Sequence, residues 1–182
     1  MVRFRRLDRT APIQRHDTDN GSTRTTTPNQ QSIGTHLAVF LSERRDQIVS
    51  ACMAAIERDE KVPTSDTLNR TQLRDDLPQI LDNLALVLND AFNQDLKQEA
   101  AWTAAYHGHL RWKEHYDISE LLREFAHLRS ILVRHLVEFQ GLHQAIGASW
   151  LFAETVVHRY LDDAIRSSVE QYFAISERSR GK

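Results

Sequence analysis

The sequence predicts an all-α fold, a bundle of about five to six helices or a globin-like assembly of them, ending in a long C-terminal helix. Three observations predict it. Apolar residues recur at helical spacing along nearly the whole chain after residue 31. Glycine and proline are scarce, six and four in 182 residues, so few positions interrupt a helix. No alternating apolar–polar run reaches a convincing strand length.

The first helix is expected over about 35–59, with Leu37, Phe40, Leu41, Ile48, Ala51, Cys52 and Ala55 on one face and Arg44 interrupting the stripe. Residues 61–69, with Pro63, read as a loop. A second helical stretch covers about 71–93, striped by Leu77, Ile80, Leu81, Leu84 and Leu88, and Pro78 starts a new helix there or kinks this one. A third helix spans about 95–113. The fourth has the clearest start: Asp117 and Glu120 have capping-box spacing, followed by a stripe of Ile118, Leu121, Leu122, Phe125, Leu128, Leu132, Leu136 and Phe139. Gly141 and Gly147 bracket a loop. The last helix is expected over about 149–178, roughly 45 Å long at 1.5 Å per residue.

Residues 1–31 are different in kind. They are polar, carry a net charge of +3 against −5 for the remainder, and lack the apolar surface that would offset the entropy of ordering them. They read as a disordered tail ahead of a helical domain at 32–182. The overall charge of −2 gives no case for nucleic acid, and no apolar run approaches the roughly 20 residues of a membrane span. With no apolar leader segment, a cytoplasmic location is expected. The lone Cys52 excludes a disulfide framework or a cysteine zinc site, and on an apolar face it reads as packed rather than nucleophilic. There is no G-x-S-x-G, P-loop, dinucleotide-binding glycine pattern or H-E-x-x-H, so no enzyme, metal site or cofactor is expected.

Helical bearings single out a few polar residues. Arg129 falls inside the stripe of the fourth helix, where a guanidinium needs a partner. Glu124 lies on the flank of that stripe, and His127 points almost opposite to Phe125. Glu124 and His127 have E-x-x-H spacing, but a di-iron bundle needs two such motifs facing inward. On the last helix Glu154, His158 and Asp162, at i, i+4 and i+8, make a polar line within the face shared by Leu151, Ile165, Val169 and Tyr172. One ion could bridge two neighbours of that line, about 6 Å apart, but not all three. The functional reading is a metal or haem ligand, or a pH-sensitive contact through His158; the plainer reading is hydrogen-bonded core or subunit-interface residues. Arg129 with Asp162 or Glu154 is the expected buried pair. The apolar face of the last helix covers about half the circumference, so the helix either is surrounded by its own domain or meets a second subunit; its extra length favours the second, with Leu161, Ile165, Val169 and Tyr172 expected at a homodimer interface.

One stretch carries a family resemblance: His107-Gly-His-Leu-Arg111, then Tyr116-Asp-Ile-Ser-Glu-Leu-Leu-Arg-Glu124-Phe125, then Leu128-Arg129. It resembles the RsbRD N-terminal domain, a helical module at the front of bacterial sensor histidine kinases and RsbR-type stress regulators, whose pattern runs H-G-x-x-R, G-Y, L-L-x-E-[YF] and L-R. The segments Leu73–Leu81 and Leu161-Asp162-Asp-Ala-Ile are similar as well, so the resemblance covers about 35–175. His115 stands where the family has a glycine, and Phe125 replaces the commoner tyrosine. The resemblance implies a non-catalytic sensory or dimerisation domain, related to globin-like, haem-free, dimeric input domains. His107, Arg111, Glu124 and Arg129 would form a polar network that fixes conformation. With no kinase or antagonist domain expected to follow, the partner would be a histidine kinase or stress regulator supplied in trans. The rival expectation is a globin-like haem or small-ligand sensor with His158 or His107 as ligand.

Overall fold

The computed structural model describes residues 28–74, 76–145 and 147–180. Among them there are seven α-helices and no strand: α1 (Pro28–Glu43), α2 (Arg45–Ile56), α3 (Arg70–Arg74), α4 (Leu77–Asn89), α5 (Gln94–Lys113), α6 (Ile118–His143) and α7 (Gly147–Arg180). The expected tail falls mostly outside the described residues. Its last four positions belong to α1, which starts at Pro28, a residue suited to a first helical turn because its missing N–H has no partner to lose.

The single helix expected over 35–59 is two. The chain breaks at Arg44, whose side chain turns back over the Phe40 ring at 3.7 Å and reaches Glu138 Oε1 at 3.4 Å. Pro78 sits in the first turn of α4 and starts a helix rather than kinking one. The loop at 61–69 holds a 3-10 turn, Pro63–Thr67. The capping box at Asp117 is present, and Glu120 also accepts from the Thr64 N–H and hydroxyl, both at 2.9 Å, tying that turn to the start of α6. Gly141 is helical, because α6 continues to His143 before Gln144 closes it in the left-handed region.

Helix α5 ends in a Schellman motif. The Tyr116 N–H donates to Arg111 O at 2.9 Å and the His115 N–H to Trp112 O at 3.1 Å, with His115 at φ +66°. A side chain in that region costs about 1–2 kcal/mol that glycine does not. His115→Gly is therefore expected to raise stability by about 1 kcal/mol, read as a higher urea midpoint.

The core is one continuous cluster. α5 packs most extensively on α7, α1 lies against α4 and α7, and α2 lies against α6. The α5–α7 approach is close because Gly108 meets the backbone of Ser168, whose hydroxyl donates to Ala104 O at 2.6 Å. α6 and α7 run antiparallel. Their register is fixed by Phe139 stacked on Trp150, by Arg129 with Asp162, and by the Tyr172 hydroxyl donating to Tyr116 O. No described helix is long and apolar enough to cross a membrane.

Three wheel-based expectations shift. The core face of α7 is Ala153, Val157, Tyr160, Leu161, Ala164 and Ser168. Leu161 is thus buried in its own subunit, and it leaves the expected interface set. The polar line Glu154, His158 and Asp162 lies on the flank of that face instead of within it. On α6, Leu122 is exposed while Glu124 is buried, so the stripe is rotated toward Glu124.

Candidate functional site

The interior contains a charged cluster built by α4, α5 and α6. Arg111, from the last turn of α5, has no solvent exposure, and Glu124, from α6, has 2%. Burying a guanidinium requires that its donors find acceptors, and each of its three nitrogens does. Nε–H donates to Glu124 Oε2 at 2.7 Å, Nη1 to Glu114 Oε2 at 2.8 Å, and Nη2 to Leu73 O at 3.3 Å. The Tyr116 ring lies under the guanidinium at 5.2 Å. One turn earlier on α5, His107 directs Nδ1 at Asp76 Oδ2, 2.5 Å away, and Nε2 at Glu124 Oε2, 3.3 Å away. The edge of Phe125 closes the other side. The i, i+4 spacing of His107 and Arg111 places both on one face of α5, and Asp76 precedes the first residue of α4.

Two cations thus face three carboxylates, and the protonation states follow. Burial pushes the His107 ring down, but the Asp76 charge and the hydrogen bonds to Asp76 and Glu124 outweigh it and Arg111, holding its pKa at about 9. Burial pushes Asp76 up and is overcome by His107 and Arg111, so Asp76 stays below the usual carboxylate range. Glu124 is lowered likewise, with Arg111 the leading counterweight to burial. The ring is therefore an imidazolium at neutral pH, and the cluster is an ionic lock.

The sign of the pH dependence follows. His107 is raised when folded, so its contribution is complete below its ordinary value near 6.5 and is lost as pH rises through about 9. Asp76 and Glu124 are lowered, so theirs is present above about 4 and is lost as pH falls. Urea midpoints are expected to drop between pH 7 and 10 in the wild type, and His107→Gln should flatten that limb.

The structure brings three of the sequence-derived residues, His107, Arg111 and Glu124, into this cluster. It places the other four elsewhere. Arg129 pairs with Asp162 at 2.5 Å, but their side chains are 37% and 65% exposed, so the expected buried pair is a surface pair. Arg129 lies at the edge of the α6 stripe where α7 comes alongside, and its long side chain reaches out to the rim. Glu154 and His158 are half-buried on the flank of α7, without an ion-pair partner among the described residues. His127 meets Asp59 at the surface, 2.8 Å away, together with Arg123.

Sequence reasoning missed Asp76, Glu114 and the anchoring role of Glu120. Asp76 lies inside the Leu73–Leu81 segment of the resemblance, which was its only signal. No group of three or more metal-ligating side chains is arranged for an ion among the described residues. Cys52 is buried, and burial followed by the Glu124 charge pushes its thiol up to about 12. His107 has both ring nitrogens engaged, so ligating a metal would cost it the contacts that hold it.

Fold and cluster together define an all-helical domain with a buried charge cluster where α4, α5 and α6 meet. The chain belongs to the RsbT co-antagonist protein rsbRD N-terminal domain family, which matches residues 46–181, from the first turn of α2 to beyond the end of α7. This family implies an input domain of stress-signalling regulators. No curated protein and no solved structure matches the chain.

Proposed function

We propose that this chain is a non-catalytic, cytoplasmic input module that works as a homodimer and signals by protein contact to a histidine kinase or stress regulator in trans. The observation that carries the reading is an exposed apolar flank shared by α6 and α7. Val133 and Val137 are exposed on the Arg129 side of α6, and on the Asp162 side of α7 Leu151 is exposed and Val169 half-buried. Val137 and Leu151 are 63% and 62% exposed, and the antiparallel register sets the two helices side by side along this flank. An antiparallel helix pair with one exposed apolar flank is half of a four-helix bundle, and a second copy completes it. Ile165 and Tyr172, packed partly on their own core, would border that surface.

In this reading the ionic lock holds α4, α5 and α6 as one body. The 34-residue α7, about 50 Å long, is the element that shifts against its dimer mate. Of the two candidate haem ligands, His107 is committed to carboxylates on both sides, which leaves His158 as the one the absorbance trace below tests.

Light scattering on the eluting full chain, with an absorbance trace, tests the proposal. A colourless dimer is expected, and Val137→Glu with Leu151→Glu should give a helical monomer of half the mass. A monomeric wild type, or a double variant still at dimer mass, overturns the interface. A Soret band overturns the module reading in favour of haem.

A further inference from the structure

We propose that the cleft between α4, α5 and α7 binds a small aromatic carboxylate. The proposal deepens the input-module reading by naming what the module senses, and it rests on that reading only for its meaning as a signal. The cleft encloses about 120 Å³, at the opposite end of α5 from the ionic lock. Its base is apolar and buried, formed by Val87, Ala100, Val156 and the ring of Tyr160. The Tyr160 hydroxyl donates to Ile80 O at 2.5 Å, so its polar end is engaged with α4 and its ring lines the space. Phe92 and Phe152, with centroids 6.0 Å apart and planes tilted by 30°, make an aromatic wall. Apolar cavities of roughly 150 Å³ accept a benzene ring, so this volume suits a single ring and is too small for a macrocycle.

The edge of the cleft supplies the second half of the argument. Lys97 and Arg159 line it, and among the described residues neither has a carboxylate partner. The one acid lining the cleft, Asp163, is held by Arg166 at 2.5 Å. Two uncommitted cations beside an apolar pocket select an anion attached to a ring: the ring fills the base and the carboxylate meets Lys97 and Arg159. The walls are α4 with the loop that follows it, which carries Phe92, together with α5 and α7, so a bound ring bears on the helix proposed to move.

The test uses the purified full chain titrated with benzoate, toluene and benzylamine, by calorimetry and saturation-transfer NMR. Benzoate is expected to bind saturably. Toluene should bind about 10-fold more weakly or worse, because it lacks the charge-assisted contacts, and benzylamine should not compete. Lys97→Met with Arg159→Met should weaken benzoate about 10-fold or more while leaving toluene unchanged. Ala101→Phe should block both ligands by filling the cleft. Both variants touch half-buried or exposed positions, and unchanged helicity by circular dichroism confirms their fold. Absence of saturable benzoate binding overturns the proposal, as does toluene binding as tightly as benzoate, or full binding by the Ala101→Phe variant. Light scattering on the same samples separates the two readings. Benzoate binding by a monomer keeps the site and discards the dimer, and a dimer that ignores benzoate does the reverse.

Discussion

Arg111→Met is expected to destabilise the domain by about 3–5 kcal/mol, the usual consequence of removing one member of a buried ionic set. The substitution leaves Asp76, Glu114 and Glu124 around a single imidazolium, and Asp76 and Glu124 are buried. Methionine fills much of the volume, so the loss reports electrostatics more than cavity formation. In thermal melts the effect corresponds to roughly 6–20 °C for a domain of this size. Arg111→Met with Glu124→Met should lose less than the sum of the two single changes, because each single change strands the other's charge. Arg129→Ala is the control. Its partner Asp162 is mostly exposed, and surface pairs contribute about 0–1 kcal/mol. Equal losses for Arg111→Met and Arg129→Ala in chemical denaturation would mean that the cluster is not the lock described here.

Gly108→Ala is expected to destabilise the fold although helix propensity alone favours it by about 1 kcal/mol. A Cβ on Gly108 would stand only 2.0 Å from Ser168 O and 2.7 Å from its carbonyl carbon, both backbone atoms that no rotamer change can move. α5 and α7 would have to separate, opening the core and stretching the Ser168 hydroxyl bond to Ala104 O. Overpacking of this kind costs typically 1–3 kcal/mol, occasionally more, and Gly108→Val should cost more than Gly108→Ala. The check is the order of urea midpoints: wild type, then alanine, then valine. An alanine variant more stable than the wild type would mean that the two helices do not meet as closely as described.

The two changes concern one helix, and that helix shows where sequence reading fails. α5 has almost no amphipathic signal: its buried residues are Ala100, Ala104, His107, Gly108 and Arg111, small or charged rather than large and apolar. A wheel identifies a polar intruder only against an apolar stripe, and α5 has none, so His107 and Arg111 were reached through the motif alone. On α6 the stripe is clean, yet Arg129 and Glu124 both sit near its borders. Which border turns inward depends on the neighbouring helices: α5 brings Arg111 to Glu124, while α7 leaves Arg129 at the rim. On α7 apolar residues cover so much of the circumference that the wheel could not find the core side, hence Leu161 at an expected interface it does not reach.

The structure decided that Pro78 starts a helix rather than kinking one, while the sequence by itself determined the helical class, the stop at Lys113, the capping box at Asp117 and the family. These are local properties, set by backbone hydrogen bonding within a few residues and by periodic burial, and short stretches of chain encode them. The tertiary structure alone decided that Asp76 and Glu114 complete the charge cluster, that Arg129 stays at the surface, and that Gly108 brings α5 against α7. Those facts depend on which elements meet and how closely, because the free energy of a charge is set by the solvent and partners around it rather than by its place in the chain.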